Sequence, residues 1–272
     1  MLQFNIDILL ALVLDFLFGD PRYRMHPVRL IGDAIRLLTR GLRRRGLNQM
    51  AGGMILVFLT VIPILTVYWA VALFLSHITG AVVLLFDVYV AYSCLALKDL
   101  FDHADRVFHP LESDNLIEAR KAIAMVVGRD VRLLDETGIG RAAVETLAEN
   151  FVDGFISPVF WYVGGGILGY ALGASPLVCA VSFMLGFKTI STLDSMVGYK
   201  NAQFIRFGRA GAKCDDFMNF LPARLAVILL FIGAWICRSN AIQGLRVALR
   251  DRKKHDSPNA AHAESFLAGA SA

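Results

Sequence analysis

The chain has no Gly-x-x-x-x-Gly-Lys-Ser/Thr phosphate loop, so any nucleotide it binds is held in another way. It has no Gly-x-Ser-x-Gly nucleophile elbow and no metal-ligand cluster of His and Cys, which removes the usual hydrolase and zinc readings. Cysteine is scarce: Cys94, Cys179, Cys214 and Cys237 are the only four, none in Cys-x-x-Cys spacing. Three lie in apolar segments and read as small core hydrophobes rather than disulfides. No basic surface is interleaved with aromatics, so nucleic acid is not an expected partner. Internal repeats and low-complexity tracts are absent. The first apolar stretch starts near Met1 without a basic leader and is interrupted by Asp7 and Asp15, unlike a cleavable signal peptide.

Charge is also missing from long runs. Ala51 to Ser76 and Phe155 to Phe187 carry none, and a bilayer crossing needs roughly 20 residues. The chain of 272 residues is 56% hydrophobic, with a mean hydropathy of +0.57. Soluble domains are roughly 45–50% apolar. These features identify an integral membrane protein. The net charge of +4 is unevenly spread. Arg22 to Arg45 and Arg246 to Lys254 are basic, while Lys98 to Asp153 is net acidic. Basic segments beside spans report orientation toward the cytoplasm, and the Arg43-Arg44-Arg45 cluster is read that way.

The expected fold is all-α: a polytopic membrane protein with about four to five membrane-embedded helical segments and two long polar loops. A single membrane domain spans 1–272, with polar regions at 20–50, 98–154 and 188–220 and a basic tail at 238–272. Leu2 to Phe18 is a first candidate span, ended by Gly19-Asp20-Pro21. The segment after it has an amphipathic pattern suited to the membrane surface. Ala51 to Ser76 and Thr79 to Leu97 form an antiparallel hairpin. Helical periodicity recurs in Leu116 to Val127 and in Ile139 to Val152. Phe155 to Phe187 is too long for one span, with Gly164-Gly165-Gly166 and Gly173 to Pro176 as its natural breaks. Leu221 to Cys237 dips in or just crosses.

Three motifs carry chemistry. In the first, composition favours a helix end with an exposed turn; the functional alternative is an interface cluster in which Asp20 and Arg29 hold a charged ligand and His26 acts as a donor or base near neutral pH. Arg141, Glu145, Glu149 and Asp153 are four apart, so on a helix they form one polar stripe, with Asn150 adjacent. Carboxylates so placed repel unless a cation lies among them. A solvated helix face explains the same spacing equally well. The run Ser191 to Asn201 combines hydroxyls, Asp194, Gly198 and Lys200, a common phosphate-binding residue type. A polar linker is the bland alternative. Together the motifs suggest Mg²⁺-assisted chemistry on an anionic substrate.

At these residues the sequence resembles the cobalamin-biosynthesis membrane proteins of the CbiB/CobD type, the adenosylcobinamide-phosphate synthases. The most specific pieces are Gly19-Asp20-Pro21 with His26-Pro27-Val28-Arg29-Leu30-Ile31-Gly32, and Val127-Gly128-Arg129-Asp130. Ala142 to Glu145, Ala148-Glu149-Asn150, Asp153-Gly154, Thr192 to Asn201 and Pro222 to Leu225 complete the pattern, which covers nearly the whole chain. Departures are Ser191, where asparagine is usual, Met25 in place of a proline, and Ala261-His262-Ala263-Glu264 after Ser257 to Ala260. Members of the family also run on past the position of Ala272 with another apolar segment.

The resemblance implies an amide ligase. It joins an amino-alcohol phosphate, or a related amino alcohol, to the propionate carboxylate of adenosylcobyric acid, with ATP as co-substrate and Mg²⁺. It gives positions rather than tasks; from side-chain chemistry, Glu145, Glu149 and Asp153 are the candidates for Mg²⁺ or acid–base roles, with Asp194 as a further metal or supporting carboxylate. Arg129, Lys200 and Arg224 are expected at phosphate, and Asn150, Ser195 and Asn259 orient the substrates. Asp20, His26 and Arg29 join the substrate-binding set. The expected location is the cell membrane, multi-pass and in contact with lipid, with motif-bearing loops facing the cytoplasm. Two other readings remain: a non-catalytic sensor like the AmpE-like proteins, and a transporter using Asp7, Asp15 and Asp87.

Overall fold

The computed structural model describes residues 2–21, 23–127, 130–199, 201–255 and 257–271, with side chains from Ile6 onward. All regular elements among them are helical. In chain order they begin α1 (Leu2–Phe18), α2 (Pro27–Arg44), α3 (Met50–Ser76), α4 (Gly80–Ser93), α5 (Leu97–Glu112), α6 (Leu116–Ala124) and α7 (Glu136–Phe151). A π turn (Val152–Ile156) follows, then α8 (Ser157–Ala171), α9 (Pro176–Val197), α10 (Arg209–Met218), α11 (Phe220–Ile236), α12 (Ala241–Asp251) and α13 (Ala260–Ala270). Among the described residues four helical runs, Met50–Ser76, Gly80–Glu112, Glu136–Ala171 and Pro176–Val197, are long and apolar enough to cross a membrane. Counting α10 with α11 as one broken span gives five. The architecture is that of an all-α multi-pass membrane protein.

The chain forms two compact units, one of Met1–Leu95 with Ser157–Met218, the other of Ala96–Ile156 with Asn219–Ala272. The first contains the α3–α4 hairpin. Thr79 caps α4 by accepting a hydrogen bond from Val82 N at 3.3 Å. Inside this hairpin Tyr68 donates to Asp87 Oδ1 at 2.7 Å, so a fully buried carboxylate meets a fixed hydroxyl. The amphipathic α2 buries Ile31, Ile35 and Leu42, and it packs on α3 and α9. Part of its apolar face is therefore covered by protein, while Leu30 and Leu37 stay exposed.

The segment 155–187 resolves into α8 and α9, broken at Gly173, whose φ of +66° suits glycine. Ser175 then caps α9, with Pro176 at its first position. The triplet Gly164-Gly165-Gly166 does not break the helix as its composition suggests. A Cβ on Gly165 would stand 2.5 Å from the Cys179 carbonyl oxygen. The glycine is there to bring α8 against α9, as small residues do between membrane helices. The run Ser191 to Val197 is likewise the end of α9 rather than a linker.

In the second unit the polar sequence is mostly helical. Buried Val107 of α5, Ala119 and Ile123 of α6, and Ile139 and Ala142 of α7 join these helices in one core. Burying an isoleucine contributes about 1.5–3 kcal/mol, and the alanines let the helix axes approach. A second core joins Ala148, Val152 and Ile156 to Ala223 and Ala226 of α11 and Ala263 of α13. Much of the C-terminal tail thus becomes α12 and α13, with α13 packed on α7, α11 and α12.

Candidate active site

The sequence-predicted residues divide between the two units. In the first, Asp20 and His26 lie in the connection between α1 and α2. His26 is 2% exposed, and its Nε2 stands 3.1 Å from Asp20 Oδ1. That contact favours a proton on Nε2 and leaves Nδ1, without a hydrogen-bond partner among the described residues, as the acceptor. Burial pushes the His26 pKa below its ordinary value. Asp20 opposes this, while Arg29 and Lys188 add to it. His26 is therefore a neutral imidazole at pH 7. Arg29 sits exposed on the first turn of α2.

Asp194 and Ser195 stand near the end of α9. The Ser195 hydroxyl donates to the Ser191 carbonyl at 2.9 Å. A Cβ at position 198 would lie 1.9 Å from Asp194 Oδ1, so only glycine lets this carboxylate fold over the helix end. Lys188, which sequence reasoning left out, lies half-buried on the same helix and acts electrostatically on His26. Its signal was a lone cation at the end of an uncharged run.

In the second unit, Asp135 caps α7 by accepting from Gly138 N at 2.8 Å. Arg141, Glu145 and Glu149 share one face of this helix, with Glu145 half-buried and Glu149 and Asn150 exposed. The straight stripe stops there. Asp153 falls on the π turn, where the wider winding takes it off the i, i+4 line. Its carboxylate accepts a hydrogen bond from Asn219 Nδ2 at 2.9 Å. Asn219, 3% exposed, was not among the predicted residues, because nothing in sequence spacing links it to Asp153. Nor does the helix end in a turn at Asp153-Gly154. It stays helical, and the Gly154 carbonyl accepts from Ala96 N at 3.0 Å.

Arg224 and Asn259 do meet. Arg224 Nη1 donates to Asn259 Oδ1 at 3.2 Å, and the guanidinium lies over the Phe220 ring, 3.5 Å from its centroid. Asn259 is buried at the start of α13. His262 on α13 has its pKa lowered by burial, with Arg224 and Arg252 adding to the effect. Arg129 and Lys200 lie outside the described residues.

Carboxylate and amide oxygens are hard donors of the kind Mg²⁺ takes. Among the described residues no three His, Cys, Asp or Glu side chains are grouped to hold a metal ion. Mg²⁺ characteristically binds through one or two carboxylates and keeps water and substrate phosphate as its other ligands. Glu149 and Asp153 fit that donor chemistry on one unit, and Asp194 lies on the other.

Residues 8–272 match the family model described as CobD/Cbib protein. The chain is 39% identical to the cobalamin biosynthesis protein CobD of Pelobacter propionicus over 96% of its own length and 76% of the relative's. It is 39% identical to CobD of Desulfotalea psychrophila over 98% and 82%, respectively. The cobalamin biosynthesis protein CbiB of Salmonella typhimurium is also 39% identical, over 96% of this chain and 78% of that protein. No solved structure matches.

Proposed function

Because the chain belongs to the CobD/CbiB family, we propose that it joins an amino-alcohol phosphate, or the amino alcohol itself, to the propionate carboxylate of adenosylcobyric acid at the expense of ATP. Membership gives a role in cobalamin biosynthesis; the reaction, ATP, Mg²⁺ and the residue roles are the proposal. The observation that supports it best is the Asp153 carboxylate, oriented by the buried Asn219 on a π turn directly after Glu149 and Asn150. π turns inside helices are frequent at functional sites.

A carboxylate does not condense with an amine unaided, because its oxygen is a poor leaving group. Transfer of the γ-phosphoryl group of ATP to the propionate oxygen gives an acyl phosphate and ADP. The neutral amine then attacks the acyl carbon, the C–O bond to phosphate breaks, and the surplus amine proton passes to a base. Glu149, exposed on α7, is the proposed base, with Glu145 and Asp153 flanking it and Asn150 orienting the substrate. When bound, Mg²⁺ would neutralise phosphate charge, with Glu149 and Asp153 as its proposed holders on this unit; Asp194 is a separate candidate metal carboxylate of the other unit. Arg224, fixed by Asn259 and Phe220, is the proposed phosphate contact of its unit. Arg129 and Lys200 are proposed for the same task on sequence grounds alone. In the other unit Asp20, His26, Arg29 and Ser195 are proposed to bind substrate. The proposed setting is the cell membrane, with motif-bearing regions on the cytoplasmic side.

The test is incubation of the purified protein with adenosylcobyric acid, aminopropanol phosphate, ATP and Mg²⁺, read by mass spectrometry. The expected products are the amide and ADP in equal amounts. Folded, monodisperse protein that makes no amide with either the phosphate or the free amino alcohol would rule the reaction out.

A further inference from the structure

Four arginines of α2 remain outside this reading. Arg36, Arg40, Arg43 and Arg44 recur at helical spacing, so one side of the helix carries them all. That side borders an open cavity of about 520 Å³, also lined by the end of α9 at Met196 and Val197 and by Phe204. No carboxylate lines the cavity among the described residues. Arg43 is held in place: its Nε donates to Asn48 Oδ1 at 3.3 Å, and its guanidinium lies 5.1 Å from the Phe204 ring centroid. Among the described residues only Arg36 of these four is seen to reach an acid, Asp33, at 3.2 Å on the exposed surface. Between the arginines stands Thr39, 8% exposed, whose Oγ1 is buried with no hydrogen-bond partner among the described residues.

We propose that this cavity binds a phosphate-bearing anion. Converging guanidinium groups repel one another, and a buried hydroxyl without a partner costs free energy. A phosphate offsets both, since its oxygens accept from guanidinium forks and from Thr39 Oγ1. A signal that only orients the chain in the membrane needs neither a cavity nor a buried hydroxyl. Two sources share this chemistry: a free polyphosphate from the aqueous side, and the headgroup of an anionic lipid. The proposal stands apart from the amide-forming reaction, because it uses none of that reaction's residues.

The test uses the full chain in phosphatidylcholine nanodiscs, with inorganic triphosphate as the calorimetric probe. The informative comparison is between neighbours, since Arg44 lines the cavity and Arg45 does not. Arg44→Gln should weaken triphosphate binding about tenfold, and Arg45→Gln, with the same loss of charge, by less than about twofold. Thr39→Val, which changes no charge, should weaken it severalfold while the thermal transition stays in place. The same titrations in discs containing phosphatidylglycerol separate the sources. Undiminished triphosphate affinity assigns the site to a free polyphosphate. Competition by the lipid that Arg44→Gln relieves assigns it to a headgroup. Equal weakening by Arg44→Gln and Arg45→Gln, or no saturable effect of either probe, would overturn the proposal.

Discussion

Asn219 Nδ2 donates to the Asp153 carboxylate at 2.9 Å, bringing the residue before α11 against the π turn that follows α7. The bond joins positions far apart in sequence, and it fixes the direction of one of the proposed reactive carboxylates. Asn219→Ala should therefore lower turnover by roughly tenfold or more, in line with the cost of losing a hydrogen bond to a charged group. Asn219→Asp, which sets two carboxylates together, should be more damaging. Steady-state product formation, with detergent-solubilised yield as the folding control, checks both. Normal turnover in Asn219→Ala would show that the bond only holds the fold.

His26 should set an acidic limb in the pH–rate profile. Burial, Arg29 and Lys188 keep it neutral at pH 7, and Asp20 works against them. Activity that needs the neutral imidazole should fall as pH drops through its lowered pKa. Asp20→Asn removes the opposing charge and should move that limb to lower pH. Lys188→Met removes a repelling charge and should move it to higher pH. Shifts in the same direction for both variants in the pH–rate profile would contradict this assignment.

His262 links stability to pH. Its folded pKa lies below its ordinary value of 6.5, because burial and two arginines disfavour the charged form. The unfolded chain therefore binds more protons between the two values, so stability rises with pH there. The stabilisation is complete above about pH 6.5 and is lost as pH falls from there through the folded value. His262→Gln should flatten the acid-side fall in the thermal transition. An unchanged slope in a pH series of melts would exclude the effect.

Core packing gives a further check. Ile139 is fully buried against Ile123 and Ala119, so Ile139→Ala should cost about 2–5 kcal/mol of stability. Gly165→Leu would force a side chain into the Cys179 carbonyl and should sharply reduce the yield of folded protein. Denaturation and size-exclusion profiles in mild detergent measure both. Near-native values for Gly165→Leu would mean that α8 and α9 can separate without loss.

Local signals carried much of the fold in the sequence. The Gly19-Asp20-Pro21 stop marks the end of α1 at Phe18, and Ser175-Pro176 marks the start of α9. What composition misreads is Gly164-Gly165-Gly166, because a glycine serving a helix contact and one ending a helix look alike in one dimension. The pattern of α2 showed an apolar face but not what covers it. The site was legible as residue types and less so as an arrangement. The i, i+4 spacing foretold the shared face of Glu145 and Glu149, but the π turn that diverts Asp153 leaves no periodic trace. Asn219, Lys188 and His262 act through contacts between distant segments, which spacing does not encode.

The most direct test of the account is turnover against Mg²⁺ concentration for the unaltered chain, Asp153→Asn and Glu145→Gln. Asp153→Asn keeps the shape of the side chain and removes one charge. If the carboxylates of α7 and the π turn carry the reaction, it should lose most turnover and need more Mg²⁺ for what remains, while staying folded and inserted. Glu145→Gln, further back along α7, should do less harm. Normal turnover with normal Mg²⁺ dependence in Asp153→Asn would contradict the account and reduce these residues to a solvated helix face.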